Sequence, residues 1–352
     1  MKVMLTGGGT MGPVTPLLAV VEAWRKKRED IEFVWIGTQT GPEQMMVEHY
    51  AIPFFSIPVA RIPRYVSIEW LMFPFIFLSA FLKSVYLIRT QKPELILSAG
   101  GYTSVPVVIA GWLFRIPAWL HQQDAKPLLT SRVLSPFVDL ITVAFEKTLL
   151  EFPKQKSHLL GNPVRRSMLL GSKERAIKSF GLDRNKQTVM VIGGGTGSTW
   201  LNHAIELIAS NILEHANVIH LVGKGKFVEQ NRKFFGYYVK DFLYEDMKDA
   251  LSVADVVVSR SGMGSITELS ALSKPTIFVP LPNSTQEDNV NALSNSVESI
   301  TQDQKPAELQ DLIIGLLIDT PKQERLGRAF HQALRTDVAD ELVVMLEQLV
   351  QK

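Results

Sequence analysis

Two glycine runs in this chain stand where backbone groups can do chemistry on an anion. Gly7-Gly8-Gly9-Thr10-Met11-Gly12 follows the apolar run from Val3 to Thr6 and precedes the apolar-periodic stretch from Val14 to Trp24. Gly193-Gly194-Gly195-Thr196-Gly197 follows Thr188 to Ile192 and precedes a helical pattern from Thr199. Strand, glycine turn, helix is the layout in which N–H groups at a helix N-terminus face an anion, and glycine lets that anion come close. A third loop, Ser259-Arg260-Ser261-Gly262-Met263-Gly264-Ser265, leads from Val256–Val258 into a helix carrying Glu268 in its first turns. Small residues opening a helix suit a diphosphate. Glu268, about one turn in, can hold the two hydroxyls of a ribose, or it can merely cap its helix. Both readings stay open from spacing alone.

The spacing Gly7-x-Gly9-x-x-Gly12 also suggests a dinucleotide site, which needs an acidic residue at the end of the second strand. Here that strand, Phe33-Val34-Trp35-Ile36, ends in Gly37-Thr38, and Glu32 stands at its wrong end. A dehydrogenase is therefore disfavoured.

The elements that must position these loops repeat along the chain. Strand-like runs are Val3–Thr6, Glu32–Gly37, Pro53–Ile57, Leu95–Ser98, Ala118–His121, Leu140–Val143 and Ser157–Leu160 in the first half. The second half has Thr188–Ile192, Asn217–Val222, Tyr238–Phe242, Val256–Ser259 and Thr276–Val279. Short Val/Ile-rich runs with helices between them predict parallel sheets, and glycine loops half a chain apart predict two α/β domains facing each other across a cleft. The linker is expected at Gly161-Asn162-Pro163. Asp337 is expected to cap a last helix whose Leu342, Met345, Leu346 and Leu349 form one apolar face.

Composition agrees with this division. A chain of 352 residues suits about two domains, and 46% hydrophobic residues supply two cores. With 20% charged residues and no low-complexity tract, disorder is not expected. A net charge of +2 gives no argument for nucleic acid. The absence of cysteine excludes disulfides, thiolate metal sites and cysteine nucleophiles, and fits a reducing compartment. Met1-Lys2-Val3-Met4-Leu5 runs straight into the glycine loop, so no signal peptide is expected in this sequence.

Seven blocks resemble, in order, the motifs of the MurG family. They are GGGTMGPVTPLLAV, SAGGYTSVPVVIAGWLFRIPAWLHQQD, GNPVRRSML, VIGGGTGSTWLN, HLVGKGK, ADVVVSRSGMGSITELSALSKPTIFVPLP and NVNAL. The resemblance covers nearly the whole chain. It implies a GT-B fold: residues 1–163 as an acceptor-side and membrane-side Rossmann-like domain, 164–335 as a UDP-sugar domain, and 336–352 as a helix crossing back. It also implies transfer of GlcNAc from UDP-GlcNAc to the muramoyl 4-hydroxyl of undecaprenyl-linked lipid I, with inversion and without a bound metal or other cofactor. Carried over by position, Met263, Gly264, Ser265, Ile266 and Thr267 would cradle the diphosphate and Glu268 the ribose. The backbone of Tyr244 would recognise uracil, Arg165 would pair with a donor phosphate, and Gly195 stands where the family often has serine. Thr10, Met11 and Gly12 would cover the transferred sugar and the acceptor diphosphate. Gly100, Gly101 and Tyr102 would form the other acceptor-side loop.

Departures bear on the chemistry. The family's first loop usually ends in histidine, a proposed general base; here it is Pro13, which suits a first helical position but accepts no proton. The family's HEQN reads His121-Gln122-Gln123-Asp124, so a carboxylate is lost at one position and gained two residues later, on the same face if the segment is extended. Asp124 is the candidate base, or it hydrogen-bonds a GlcNAc hydroxyl; His121 is a second candidate. The family's sugar-reading amides become Glu287-Asp288, which would weaken donor binding or change the sugar read. His203 and His220 read as structural or surface residues.

Trp70 to Leu82 is mainly apolar and, at thirteen residues, too short to span a membrane. It reads as a buried helix or as an interfacial patch: Phe73, Phe75, Phe77 and Phe81 crowd it, and Arg61, Arg64, Lys83 and Arg89 flank it. A lipid-linked acceptor favours the patch, on an anionic membrane surface and at the cytoplasmic face of the cell membrane.

Overall fold

Val3, Met4 and Leu5 are all fully buried, so their run is apolar without alternation, as a strand covered by helices on both faces requires. The computed structural model describes residues 1–59, 69–226 and 234–351. The chain divides into two units, one comprising Met1–Arg165 with Asp337–Lys352 and the other Arg166–Thr336.

The first unit holds seven parallel strands: β1 (Lys2–Thr6), β2 (Glu32–Thr38), β3 (Phe54–Ile57), β4 (Leu95–Ser98), β5 (Ala118–Gln122), β6 (Leu140–Val143) and β7 (Ser157–Leu159). Their order is β3-β2-β1-β4-β5-β6-β7. In register, Leu5 lies between Trp35 and Leu97. Successive side chains leave a strand on opposite faces. Val3, Leu5, Trp35, Leu95 and Leu97 accordingly pack with the helices Val14–Lys27 and Ala339–Val350. Met4, Ile36 and Ile96 pack on the other face with the helices Glu69–Gln91 and Ser104–Leu113.

The second unit holds β8 (Gln187–Ile192), β9 (Ala216–Leu221), β10 (Tyr237–Lys240), β11 (Val256–Ser259), β12 (Thr276–Phe278) and β13 (Glu298–Ser299), again parallel, in the order β10-β9-β8-β11-β12-β13. In both sheets the order reverses beside the first strand, at β1/β4 and at β8/β11. Loops at such switch points form the crevice where ligands bind in open α/β sheets.

Twelve of these strands lie on the apolar runs named above. The thirteenth, Glu298–Ser299, pairs only as Ile277 with Glu298 and Phe278 with Ser299, and carries no apolar run of its own. The last helix begins at Ala339 with Val338, not Asp337, at its cap position and no side-chain cap bond. Its apolar face is nevertheless in use. Leu342, Val343 and Leu346 are buried in the core of the first unit, with Met345 and Leu349 packed beside them. Trp24 Nε1 donates to Glu347 Oε1 at 3.2 Å, and Lys27 pairs with the same carboxylate.

Candidate functional site

In the second unit, the loops leaving β8, β9, β10, β11 and β12 all stand at the carboxyl ends of their strands. The helix Met263–Ala271 opens directly after β11. Its cap position is Gly262, in extended conformation and with no side-chain cap bond, and a side chain at Gly262 would meet only open space. The first N–H groups of a helix have no partner within it, so Met263, Gly264 and Ser265 present donors at an open edge. Ile266 and Thr267 are buried behind them, Thr267 Oγ1 donating to the Met263 carbonyl at 2.7 Å. Glu268 is buried in the second turn, beyond the reach of a capping role, so the capping reading of this residue does not hold.

The neighbouring helix Thr199–His215 is built differently. Ser198 caps it, accepting from the Leu201 N–H, and the Gly195 carbonyl accepts from the Lys224 N–H at 3.2 Å. A Cβ on Gly197 would collide with the Val222 carbonyl, so glycine here lets the β8 and β9 turns interlock. Tyr244, exposed, lies in the loop after β10, its ring edge-on to Phe242 at 4.7 Å.

Sequence reasoning missed what fastens this rim. Gln286 Oε1 accepts from the Leu281 N–H (3.0 Å) and from Arg260 Nε (3.3 Å). Ser261 Oγ donates to the Gln286 carbonyl (2.9 Å), and Asn289 Nδ2 donates to the Ser261 carbonyl (3.3 Å). The loops after β11 and β12 are thereby tied, and only the polar crowding of Thr285 to Asn289 hinted at it. Glu287 fastens a turn, accepting from the Asn283 N–H at 2.9 Å, while Asp288 is half-buried one residue on.

In the first unit the glycine loop after β1 and the loop after β4 brace each other. Gly100 and Gly101 have φ of 84° and 86°, a region glycine enters without strain. A Cβ on Gly101 would crowd the Gly8 carbonyl, and the Tyr102 hydroxyl lies against Gly9. Ser104 Oγ donates to the carbonyls of Thr6 (3.1 Å) and Gly100 (2.8 Å). Pro13 packs against Gly7 and Gly101 and stands just before the first helical residue, Val14. Thr10 is exposed at the loop's tip, with Met11 and Gly12 half-buried.

His121 is fully buried at the end of β5. Trp119 Nε1 donates to Thr142 Oγ1 (2.9 Å), the same hydroxyl hydrogen-bonds with His121 Nδ1 (2.8 Å), and His121 Nε2 hydrogen-bonds with Asn162 Oδ1 (2.6 Å). Burial pushes its pKa down to about 4, against the opposing pull of the Asn162 side chain and the Thr142 backbone. Both ring nitrogens are committed, so the catalytic expectation for His121 gives way to a structural role.

The extended-face argument for Gln122 and Asp124 also fails, because the chain bends at Asp124. Gln122 turns onto the loop, donating to the carbonyls of Asp124 and Lys126 and accepting from the Leu128 N–H. Asp124 itself is half-exposed beyond the strand. Arg165 is buried in the first unit, its Nη1 on Met46 Sδ at 3.8 Å.

The helix Glu69–Gln91 is longer than the apolar segment read from sequence, and Met72–Gln91 is long and apolar enough to cross a membrane by length and composition. Its packing argues otherwise. Ala80, Ser84, Leu87 and Ile88 are buried on one side, while Phe75 (73% exposed), Leu78, Leu82 (57%) and Tyr86 form a stripe on the other. Phe77 is half-buried and stacks with Phe73. Arg61 and Arg64 lie outside the described residues.

Two Rossmann-type units, each with glycine-rich or helix-opening loops at its switch point, make a GT-B-like fold. Residues 3–143 match the Glycosyltransferase family 28 N-terminal domain and residues 188–342 its C-terminal domain. A Clostridium perfringens UDP-N-acetylglucosamine--N-acetylmuramyl-(pentapeptide) pyrophosphoryl-undecaprenol N-acetylglucosamine transferase is 37% identical over 290 residues, 82% of this chain and 81% of its own. A Bacillus cereus protein of the same name, numbered 2, is 34% identical over 280 residues, 80% of this chain and 79% of its own. The crystal structure of Acinetobacter baumannii MurG superposes with a TM-score of 0.73 at 23% identity, covering 99% of both chains. The chain belongs to glycosyltransferase family 28 and, within it, to the MurG family.

Proposed function

We propose that this enzyme transfers GlcNAc from UDP-GlcNAc to the muramoyl 4-hydroxyl of lipid I, with inversion, giving lipid II and UDP in peptidoglycan synthesis. The observation that carries the reading is the helix Met263–Ala271, which opens uncapped by any side chain after β11 with buried Glu268 behind its mouth. The names of the relatives supply the sugar and the acceptor. As the bond from the anomeric carbon to UDP breaks, charge builds on the leaving phosphate. The positive end of a helix and its N–H donors stabilise that charge. The donor is held by Met263, Gly264, Ser265, Ile266 and Thr267 at the diphosphate, Glu268 at the ribose and the Tyr244 backbone at uracil, with Gly195 and Asp288 toward the sugar. Arg165 pairs with a donor phosphate. Thr10, Met11 and Gly12 cover the transferred sugar and the acceptor diphosphate, and Gly100, Gly101 and Tyr102 serve the acceptor.

The acceptor oxygen bonds to the anomeric carbon while its proton passes to a base. With His121 committed and Pro13 aprotic, Asp124 is the carboxylate proposed for that step; its alternative role is a hydrogen bond to a GlcNAc hydroxyl. A lipid-linked acceptor also calls for a membrane. The exposed stripe of Glu69–Gln91, with exposed Lys83 and Arg89 beside it, suits peripheral binding to an anionic surface, at the cytoplasmic face.

A second reading rests on Pro13: a relative that binds UDP-sugar or lipid without transfer. The Glu287-Asp288 pair similarly leaves room for another acceptor or sugar. UDP release from UDP-GlcNAc, measured with and without lipid I, separates these. Release that depends on lipid I is expected. UDP binding with no release would favour the binding protein, and release with other lipid-linked acceptors alone would favour a different transferase.

A further inference from the structure

Glu43 is the first residue of the helix Glu43–His49 and is fully buried, yet among the described residues no ion pair reaches it. Backbone and hydroxyl donors hold its carboxylate instead. Oε1 accepts from the Thr38 N–H (2.7 Å) and from Thr38 Oγ1 (2.5 Å), and Oε2 accepts from the Gly9 N–H (3.2 Å). A Cβ on Gly8 or on Gly41 would collide with this carboxylate, so both glycines make room for it. Gly9 is thus held on one side by Glu43, while the Tyr102 hydroxyl lies against its other flank. Its N–H points inward to a charge of the protein's own; the loop beyond it leaves Thr10 exposed at the tip, with Met11 packed on the core.

We propose that Glu43 is a positioning residue for the acceptor: its buried carboxylate fixes the Gly9 peptide and so sets the Thr10-Met11-Gly12 loop on which the acceptor diphosphate is bound. This rests on the assignment of that loop to the acceptor made above. A carboxylate can satisfy all three donors at once; an amide cannot, because its nitrogen faces an N–H with another N–H. Glu43→Gln keeps the shape and strands either Gly9 or Thr38.

The test uses the full chain with UDP-GlcNAc and lipid I. In Glu43→Gln the KM for lipid I should rise about ten-fold or more, the scale of losing one charge-assisted bond, while kcat changes about two-fold at most. UDP affinity, measured by calorimetry, should not change, and amide hydrogen exchange across Gly7–Gly12 should quicken. If Glu43→Gln does not fold, Thr38→Val removes one donor and leaves the charge. It should shift the same KM in the same direction, by a smaller factor. An unchanged lipid I KM in a folded variant whose loop exchanges faster would overturn the proposal, as would a fall in kcat with KM constant. An active parent with an indifferent Glu43→Gln sinks this assignment alone; no transfer by the parent sinks the acceptor reading and this assignment with it.

Discussion

Glu268 sits in the second turn of its helix, past the N–H groups that a cap would serve, so capping does not explain its burial. The ribose of UDP is the partner proposed for it. Removing a charged hydrogen-bonding group from a ligand costs about 1.5–3 kcal/mol, or ~10- to 150-fold in affinity. Glu268→Ala should weaken UDP by that much in calorimetry, and unchanged binding would remove the ribose role. Asp124 stands on a bend after β5 and is half-exposed, unlike the fully buried His121. If Asp124 takes the acceptor's proton, Asp124→Asn should lower kcat by ~10²–10⁴-fold and leave UDP-GlcNAc affinity nearly constant; a variant as fast as the parent would refute it. The loops of the candidate site were legible as structure because they are local: strand, small residues and helix lie within one stretch of chain. Glu43 was not, because its meaning comes from Gly9, far off in sequence, and a glutamate after Gly41-Pro42 reads only as a helix start.

At the scale of elements, period and patterning carried twelve strands and both sheets' parallel sense. They failed where pattern is absent, at Glu298–Ser299, and where a cap was read from residue type alone, at Asp337. The helix Glu69–Gln91 shows why burial was undecidable beforehand: Phe75 and Phe77 look alike in sequence, but one is exposed and the other stacks on Phe73. Replacing Phe75 and Leu82 with serine should therefore release the protein from anionic vesicles while its melting temperature holds. Salt should do the same to the parent by screening Lys83 and Arg89. A double variant that sediments with vesicles like the parent would refute the membrane role of this face.

For the whole molecule, each unit holds one buried neutral histidine. Burial pushes both His121 and His220 down from the ordinary 6.5 to about 4, and His220 is engaged by Asn202 (3.2 Å) and Tyr237 (3.0 Å). Between those values an unfolded imidazole takes a proton that the native one refuses. Stability is therefore full above pH ~6.5 and falls as the pH drops toward 4, by roughly 1.4 kcal/mol per pH unit for each histidine. Melting temperatures should decline through that window, and His121→Gln should flatten the decline; a melting temperature independent of pH would contradict it.

The first unit is made from two separate stretches of chain, because Asp337–Lys352 belongs to it. On the ribosome this sets an order of events. Residues Arg166–Thr336 emerge as one continuous stretch and can condense as soon as they clear the exit tunnel, whereas the first unit has all seven strands early and its last helix only at the end. Until the last helix is translated, the face of Val14–Lys27 that it covers has no partner. The nascent protein therefore spends the synthesis of its second unit with that apolar surface open, at 5–20 residues per second, and a holding chaperone would find its target there.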